Sequence, residues 1–250
     1  MTAGVISFDL DGTLISGPFG RVLTDLHETL INAGRPPVKP EIQRRHRQLL
    51  SSDPLAAYNW DAIVADVLAR NGDQQPFDLV DRLGVHVRDG RTRLLHEHTF
   101  ENLAALRAAG WRVLVLTNGL RRYQEPILRG AGLLDAIDQL VTADDVGQPK
   151  PFAAPFVTAR GTAGRHVHVG DRLDHDIAGG NAAGAETILL DGALPVRGAP
   201  SELSSEDTTS LVKYLDDLAA RQEIMPIDPP ELMRPDYLAT SLSEIATWLT

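Results

Sequence analysis

The chain is 250 residues long and 43% hydrophobic, enough to bury one substantial core and a small accessory domain. Its formal net charge of -10 argues against nucleic acid or an anionic membrane as the main partner. Zero cysteines exclude disulfides and thiolate metal sites, and with neither a ~18-residue apolar run nor a signal-peptide pattern a cytoplasmic protein is expected.

The first element is Val5-Ile6-Ser7-Phe8, an apolar run of the kind buried inside a parallel sheet. Asp9-Leu10-Asp11-Gly12-Thr13-Leu14 follows, so two carboxylates emerge at the strand's carboxyl end, where open α/β sheets hold their ligands. Gly12 permits a sharp turn there. Acids this close repel each other and resist desolvation, which makes a divalent cation their natural partner. By itself, Asp-x-Asp-Gly also reads as a solvated turn. Residues 15–20 form a Gly/Pro-rich hinge.

From 21 to about 91 the pattern is helical, with no convincing strand. Val22, Leu26, Leu30 and Ala33 define the first helix, ended by Gly34 and Pro36-Pro37, and Pro40 opens a second. Asp53-Pro54 reads as the N-cap and first turn of a third, which carries Tyr58, Trp60, Ile63, Val67 and Leu68 and stops at Asn71-Gly72. A fourth is expected after Pro76.

The period then changes. Helices at 100–109, 120–131, 152–160 and 176–183 alternate with strands at 112–117, 139–141, 166–169 and 187–190, which predicts parallel β-α-β units with right-handed crossovers. Residues 191–236 hold 4 Lys/Arg and 10 Asp/Glu. In that stretch 210–220 reads as a helix and the rest as loop. A strand at 235–240 and a helix at 241–249 close the chain.

Three further stretches carry chemistry. Thr117-Asn118-Gly119 follows the second buried strand, where a hydroxyl, an amide and a close backbone suit a phosphate oxygen; alone it reads equally as a helix N-cap. Lys150 stands between Pro149 and Pro151, one cation on a stiffened backbone. Gly170-Asp171-Arg172-Leu173-Asp174-His175-Asp176 follows the strand His166-Val167-His168-Val169, and places Asp171 at another strand end with Asp176 at the next helix start. Its acids also suit an ordinary helix N-terminus.

Taken in order, strand-Asp-x-Asp-Gly-Thr, strand-Thr-Asn-Gly, Pro-Lys-Pro and strand-Gly-Asp-x4-Asp resemble the four motifs of the haloacid dehalogenase-like hydrolase superfamily. The resemblance covers residues 1–16 and 93–190, and 235–249 is similar to the family's usual ending. It implies a Rossmann-like three-layer α/β core with a mostly parallel sheet, formed by 1–16 and 93–250, and an α-helical cap at 17–92. Segment 192–234 is an acidic insertion of open role: dimer contact, cover for the site's edge, or mobile. By the same resemblance Asp9 is the covalent nucleophile and Asp11 the general acid and base. Mg2+ is held by Asp9, the Asp11 carbonyl and Asp171, with Asp176 in support. Thr117, the Asn118–Gly119 turn and Lys150 hold the phosphoryl group.

Asp11 also selects the chemistry. The family's dehalogenases lack Asp at that position and its phosphonate-cleaving members carry a small residue there, so hydrolysis of a small-molecule phosphate ester leads. A phosphomutase or a non-catalytic phosphate-binding protein is the alternative, as a monomer or homodimer. His175 departs from the Asn common among relatives. Arg44-Arg45-His46-Arg47 reads first as a solvated helix face, and Trp60 and Tyr58 as cap core. His96 and His98 lack zinc-site spacing, whereas His166 and His168 share one strand face. Arg121 or Arg122, just past the phosphate-binding turn, is a further candidate contact.

Overall fold

The computed structural model describes residues 3–73, 77–90, 92–224 and 227–250. In chain order, β1 (Gly4–Phe8) and the short strand β2 (Ile15–Ser16) precede four helices, α1 (Phe19–Asn32), α2 (Lys39–Ser52), α3 (Trp60–Arg70) and α4 (Leu79–Arg88). Pro76, expected to open the fourth helix, lies outside the described residues. Then come β3 (Arg93–Leu94), α5 (Thr99–Ala108), β4 (Trp111–Thr117), α6 (Arg121–Gly130), β5 (Gln139–Thr142), α7 (Ala143–Val146) and α8 (Ala153–Arg160). The remainder is β6 (His166–Gly170), α9 (Gly179–Ala182), β7 (Glu186–Leu190), α10 (Ser205–Arg221), β8 (Tyr237–Ala239) and α11 (Leu242–Leu249).

Six strands form one sheet in the order β5-β4-β1-β6-β7-β8, each neighbouring pair parallel. Strand side chains alternate between faces. Ile6, Phe8, Val113, Val115, Val167 and Val169 pack with residues of α5, α6 and α11, while Val5, Leu114 and Leu116 pack with Phe156 and Ala159 of α8. A sheet covered on both faces needs strands that are apolar throughout, which is how these read in the sequence. The result is a three-layer α/β core.

The acidic segment is more ordered than its composition predicts. α10 starts at Ser205, where Ser204 accepts a hydrogen bond from the Asp207 amide (3.1 Å), and it buries Leu211 and Leu218 against Leu173, Ile177, Leu189 and Leu238. Its polar first turn reads as loop in the sequence because it faces solvent.

α1, α2 and α3 share a small apolar cluster of their own, including Leu23, Leu26, Ile42, Val64 and Val67. α4 differs, for Leu79 and Leu83 join the cluster that also holds Tyr123 and Ile127 of α6. β2 and β3 pair antiparallel, Ile15 opposite Leu94, and so pin together the two points where the chain leaves and re-enters the core. Two-residue strands are too short to leave a periodic trace. One boundary falls later than the sequence predicts. Asp53 accepts from the Ala56 amide (3.2 Å) and caps only a single turn, whereas Asn59, accepting from Ala62 (3.3 Å), caps α3.

Candidate active site

β1, β4 and β6 are adjacent at the middle of the sheet, and their carboxyl ends open onto one cavity of about 620 Å³. Asp9 leaves β1 with its amide bonded to the Val169 carbonyl (2.8 Å), which ties the first motif to β6. Gly12, at φ +97°, brings the backbone so close to Asp171 that a Cβ would lie 2.7 Å from Oδ2, and Thr13 Oγ1 donates to Asp171 Oδ1 (3.2 Å). Carboxylate oxygens of Asp9, Asp171 and Asp176 thereby come within 4.8 Å of one another, a spacing suited to one divalent cation.

Lys150 is buried among them. Its Nζ donates to Asp9 Oδ1 (2.7 Å), Asp176 Oδ1 (2.6 Å) and the Leu116 carbonyl (2.9 Å), which uses all three ammonium protons. The flanking prolines are only part of what holds it. Asn118 Oδ1 accepts from the Lys150 amide (2.6 Å) and Nδ2 donates to the Lys150 carbonyl (3.0 Å), so one side chain clamps both ends of that residue. Asn118 Nδ2 also lies 2.8 Å from the Tyr58 hydroxyl, a link to the helical insertion.

The charges do not balance. Burial pushes the pKa of Asp9 up to about 8, and the neighbouring Asp176 and Asp171 add to this against the pull of Lys150. Burial and then Asp176 raise Asp171 to about 7. For Lys150 burial opposes the charge, but Asp176 and Asp9 outweigh it and hold the ammonium above the ordinary lysine range. Asp176 goes the opposite way from Asp9: burial opposes its ionisation, yet Lys150 and a hydrogen bond from His168 keep it well below the usual carboxylate range.

Asp11 stands apart from the three-acid cluster. Gln124 Nε2 donates to its Oδ2 (2.7 Å), while Oδ1 is buried with no hydrogen-bond partner among the described residues. Gly17 makes room for that oxygen, since a Cβ there would lie 1.8 Å from it. Burial raises Asp11 to about 6, against the lowering effects of Gln124 and Lys150. Thr117 Oγ1 accepts from the Gly119 amide (3.2 Å) and from Gln124 Nε2 (3.3 Å), and Gly119 lies so near Gln124 that a Cβ would be 2.1 Å from Nε2.

Sequence reasoning missed Gln124, the Tyr58 hydroxyl and Gln222. Gln124 had a signal: it is a polar residue on the stripe of α6 that also buries Tyr123, Ile127 and Leu128. Gln222, just past α10, donates to the Asp171 carbonyl (2.8 Å) and accepts from the Leu173 amide (3.1 Å), so the acidic segment covers the site's edge. His175 lines the cavity, its Nδ1 3.5 Å from Asn118 Nδ2, and burial lowers its pKa to about 4. His46 and Arg47 also line it, whereas Arg44 pairs with Glu41 and Arg45 with Asp66. Arg121 is bound to Asp145 and Arg122 to Asp61, and neither is among the cavity's lining residues.

The model of the haloacid dehalogenase-like hydrolase family matches residues 4–184. The chain belongs to that family, and within it stands with the phosphatases. It is 28% identical to the glyceraldehyde 3-phosphate phosphatase of Methanothermobacter thermautotrophicus over 88% of this chain and 98% of that one. It is 38% identical to the ribulose-1,5-bisphosphate 5-phosphatase of Halopiger xanaduensis, over only 36% of this chain and 40% of the relative. The crystal structure of the haloacid dehalogenase-type phosphatase from Thermococcus onnurineus superposes with a TM-score of 0.65 at 20% identity, covering 100% of this chain and 98% of that one; this likeness carries the fold.

Proposed function

We propose that the protein is a phosphomonoester hydrolase in which Asp9 takes the phosphoryl group and Asp11 moves the protons. The observation that carries this reading is the division of labour between the two carboxylates. Asp9 is held by Lys150 at the rim of the sheet, whereas Asp11 is anchored through one oxygen and has no partner for the other among the described residues. A Mg2+ ion fits the donor set. Three carboxylates face a single lysine, and the raised pKa values of Asp9 and Asp171 mark negative charge that the protein leaves uncompensated. Asp9, Asp171 and the Asp11 carbonyl would hold it. Both oxygens of Asp176 are engaged, Oδ1 by Lys150 and His168 and Oδ2 by the Arg172 amide (3.0 Å), so its part is support. Bound there, the cation supplies charge neutralisation at the phosphoryl oxygens.

The chain's own groups do the rest. A carboxylate oxygen of Asp9 attacks phosphorus, forming an acyl phosphate as the bond to the leaving oxygen breaks. Asp11 gives that oxygen its proton, then takes one from the water that attacks the Asp9-bound phosphoryl group; a pKa of about 6 suits both directions near neutral pH. The Thr117 hydroxyl and the Asn118 amide are the hydrogen-bond donors for the phosphoryl oxygens, the Gly119 amide holds the Thr117 oxygen, and Lys150, its three protons engaged, holds Asp9 and adds positive charge beside the group.

The helical segment at 17–92 acts as a cap over this site. His46, Tyr58 and Trp60 reach the cavity from it, with His46 stacked on Trp60 (4.6 Å between centroids). A walled site of this kind suits a small phosphorylated metabolite, excludes water around the reaction and selects the leaving group. The relatives' phosphorylated sugars and aldehydes belong to that size class.

Release of inorganic phosphate from p-nitrophenyl phosphate tests the proposal. Wild type should turn over with Mg2+ and stop with a chelator, and Asp9→Asn should lose at least ~10³-fold in kcat. Equal rates for wild type and Asp9→Asn would remove Asp9 as nucleophile, and activity unchanged by chelation would remove the cation. A screen of phosphorylated metabolites then selects the substrate.

A further inference from the structure

Behind the Asp9–Lys150 pair, a line of polar side chains crosses the α8 face of the sheet. Strands covered on both faces ordinarily carry apolar residues there, and a buried polar group is costly unless bonded. Ser7, His166 and His168 nevertheless occupy neighbouring positions of β1 and β6 on that face. Ser7 and His168 are 0% exposed and His166 4%, and none is among the cavity's lining residues. Ser7 Oγ lies 2.8 Å from His166 Nε2 and 2.8 Å from His168 Nδ1. His168 Nε2 lies 3.0 Å from Asp176 Oδ1, the same oxygen that receives Lys150 Nζ. The Phe156 ring closes the face edge-on against His168 (5.0 Å).

We propose that Ser7 and His168, backed by His166, are positioning residues: a one-directional hydrogen-bond line that fixes the Asp176 carboxylate and, through it, aims Lys150 at Asp9. The donor and acceptor at each step follow from the chemistry of the groups. An ionised Asp176 only accepts, so His168 Nε2 carries the hydrogen. The neutral ring then has a bare Nδ1, which accepts the Ser7 hydroxyl proton. Ser7 has no second proton, so its oxygen accepts from His166 Nε2–H. Gly170 leaves Asp176 packed directly on the strand, where a Cβ would come within 2.2 Å of the Asp176 Cγ. Among the described residues the carboxylate takes its direction from three donors: Lys150, His168 and the Arg172 amide. Burial, which lowers the pKa of both histidines, favours the neutral rings this arrangement needs.

The proposal rests on the phosphatase reading for its consequence and on the hydrogen-bond line for its structure, and the two are tested separately. Nitrogen NMR of 15N-histidine-labelled wild type should show His168 protonated at Nε2 and bare at Nδ1; a protonated Nδ1 overturns the line without any turnover being measured. In the phosphatase assay, His168→Leu should lower kcat by ~10- to 100-fold with KM changed less than ~3-fold, because binding groups stay while the aim of Lys150 is lost. His168→Gln, whose amide can still donate toward Asp176, should recover most of that loss. Ser7→Ala deletes one oxygen and should lower kcat in the same sense, so it decides the matter if His168→Leu does not fold. Folded His168→Leu and Ser7→Ala proteins with kcat within about twofold of wild type overturn the proposal. A wild type inactive on every ester would instead overturn the phosphatase reading, with the His168 tautomer still standing.

Discussion

Asp9 and Asp11 lie two positions apart in the chain yet face different partners, and each difference has a measurable consequence. In the proposed mechanism Asp11 donates a proton to the leaving oxygen, a service that p-nitrophenolate scarcely needs and an alkoxide does. Asp11→Asn should therefore cost at least ~10-fold more in kcat with an alkyl phosphate than with p-nitrophenyl phosphate, and equal losses would contradict the assignment. Gln124 donates to Asp11 and so stabilises its ionised form. Gln124→Leu removes that bond, so the Asp11 limb of the pH–rate profile should move to higher pH; an unmoved limb would show that Gln124 does not tune it. As candidates, Asp9, Asp11 and Asp171 were legible in the sequence because they stand just past apolar strands, and Lys150 because two prolines flank it before a helix. The Tyr58 hydroxyl and Gln222 were not, since a glutamine or tyrosine becomes functional only through what packing sets beside it, and Gln124 showed only as a polar residue on the apolar stripe of α6.

Among the elements, the strands of the sheet were the most legible, because burial on both faces leaves an apolar signature. The β2–β3 ribbon left none, and the first turn of α10 was hidden by its solvent-facing composition. Yet α10 delivers Gln222 to the turn after β6, where its side chain bonds the Asp171 carbonyl and the Leu173 amide. Gln222→Ala should loosen that turn and weaken Mg2+ binding ~10-fold or more, the effect expected for a group that orients the proposed ligand Asp171 without touching the ion. Calorimetric titration with Mg2+ measures it, and unchanged affinity would separate α10 from the site.

For the whole molecule, the acid concentrated at the sheet's rim contributes to stability in a direction unusual for carboxylates. Asp9, Asp171 and Asp11 rise from an ordinary 3.8 to about 8, 7 and 6. Between pH ~4 and those values these three groups keep protons in the folded chain that they have lost in the unfolded one, so their contribution to stability declines as pH rises through the window. Asp176 has the opposite sign, and its contribution is lost only as pH falls below the ordinary carboxylate range. Burial lowers the pKa of His46, His96, His166, His168 and His175, which therefore act in the opposite sense below pH ~6.5, so the carboxylates' own effect is read from the response to metal. Added Mg2+ should raise the melting temperature more at pH 8, because the cation binds ionised carboxylates. Equal Mg2+ shifts at both pH values would contradict this.

The central claim is that Asp9 carries the phosphoryl group between the two halves of the reaction. Mixing the enzyme with a phosphate ester, quenching in acid within one turnover and mapping the peptides by mass spectrometry tests it most directly. Phosphate should appear on the peptide that contains Asp9 and be missing from Asp9→Asn. Phosphate trapped on any other side chain, or turnover by Asp9→Asn at the wild-type rate, would contradict the account.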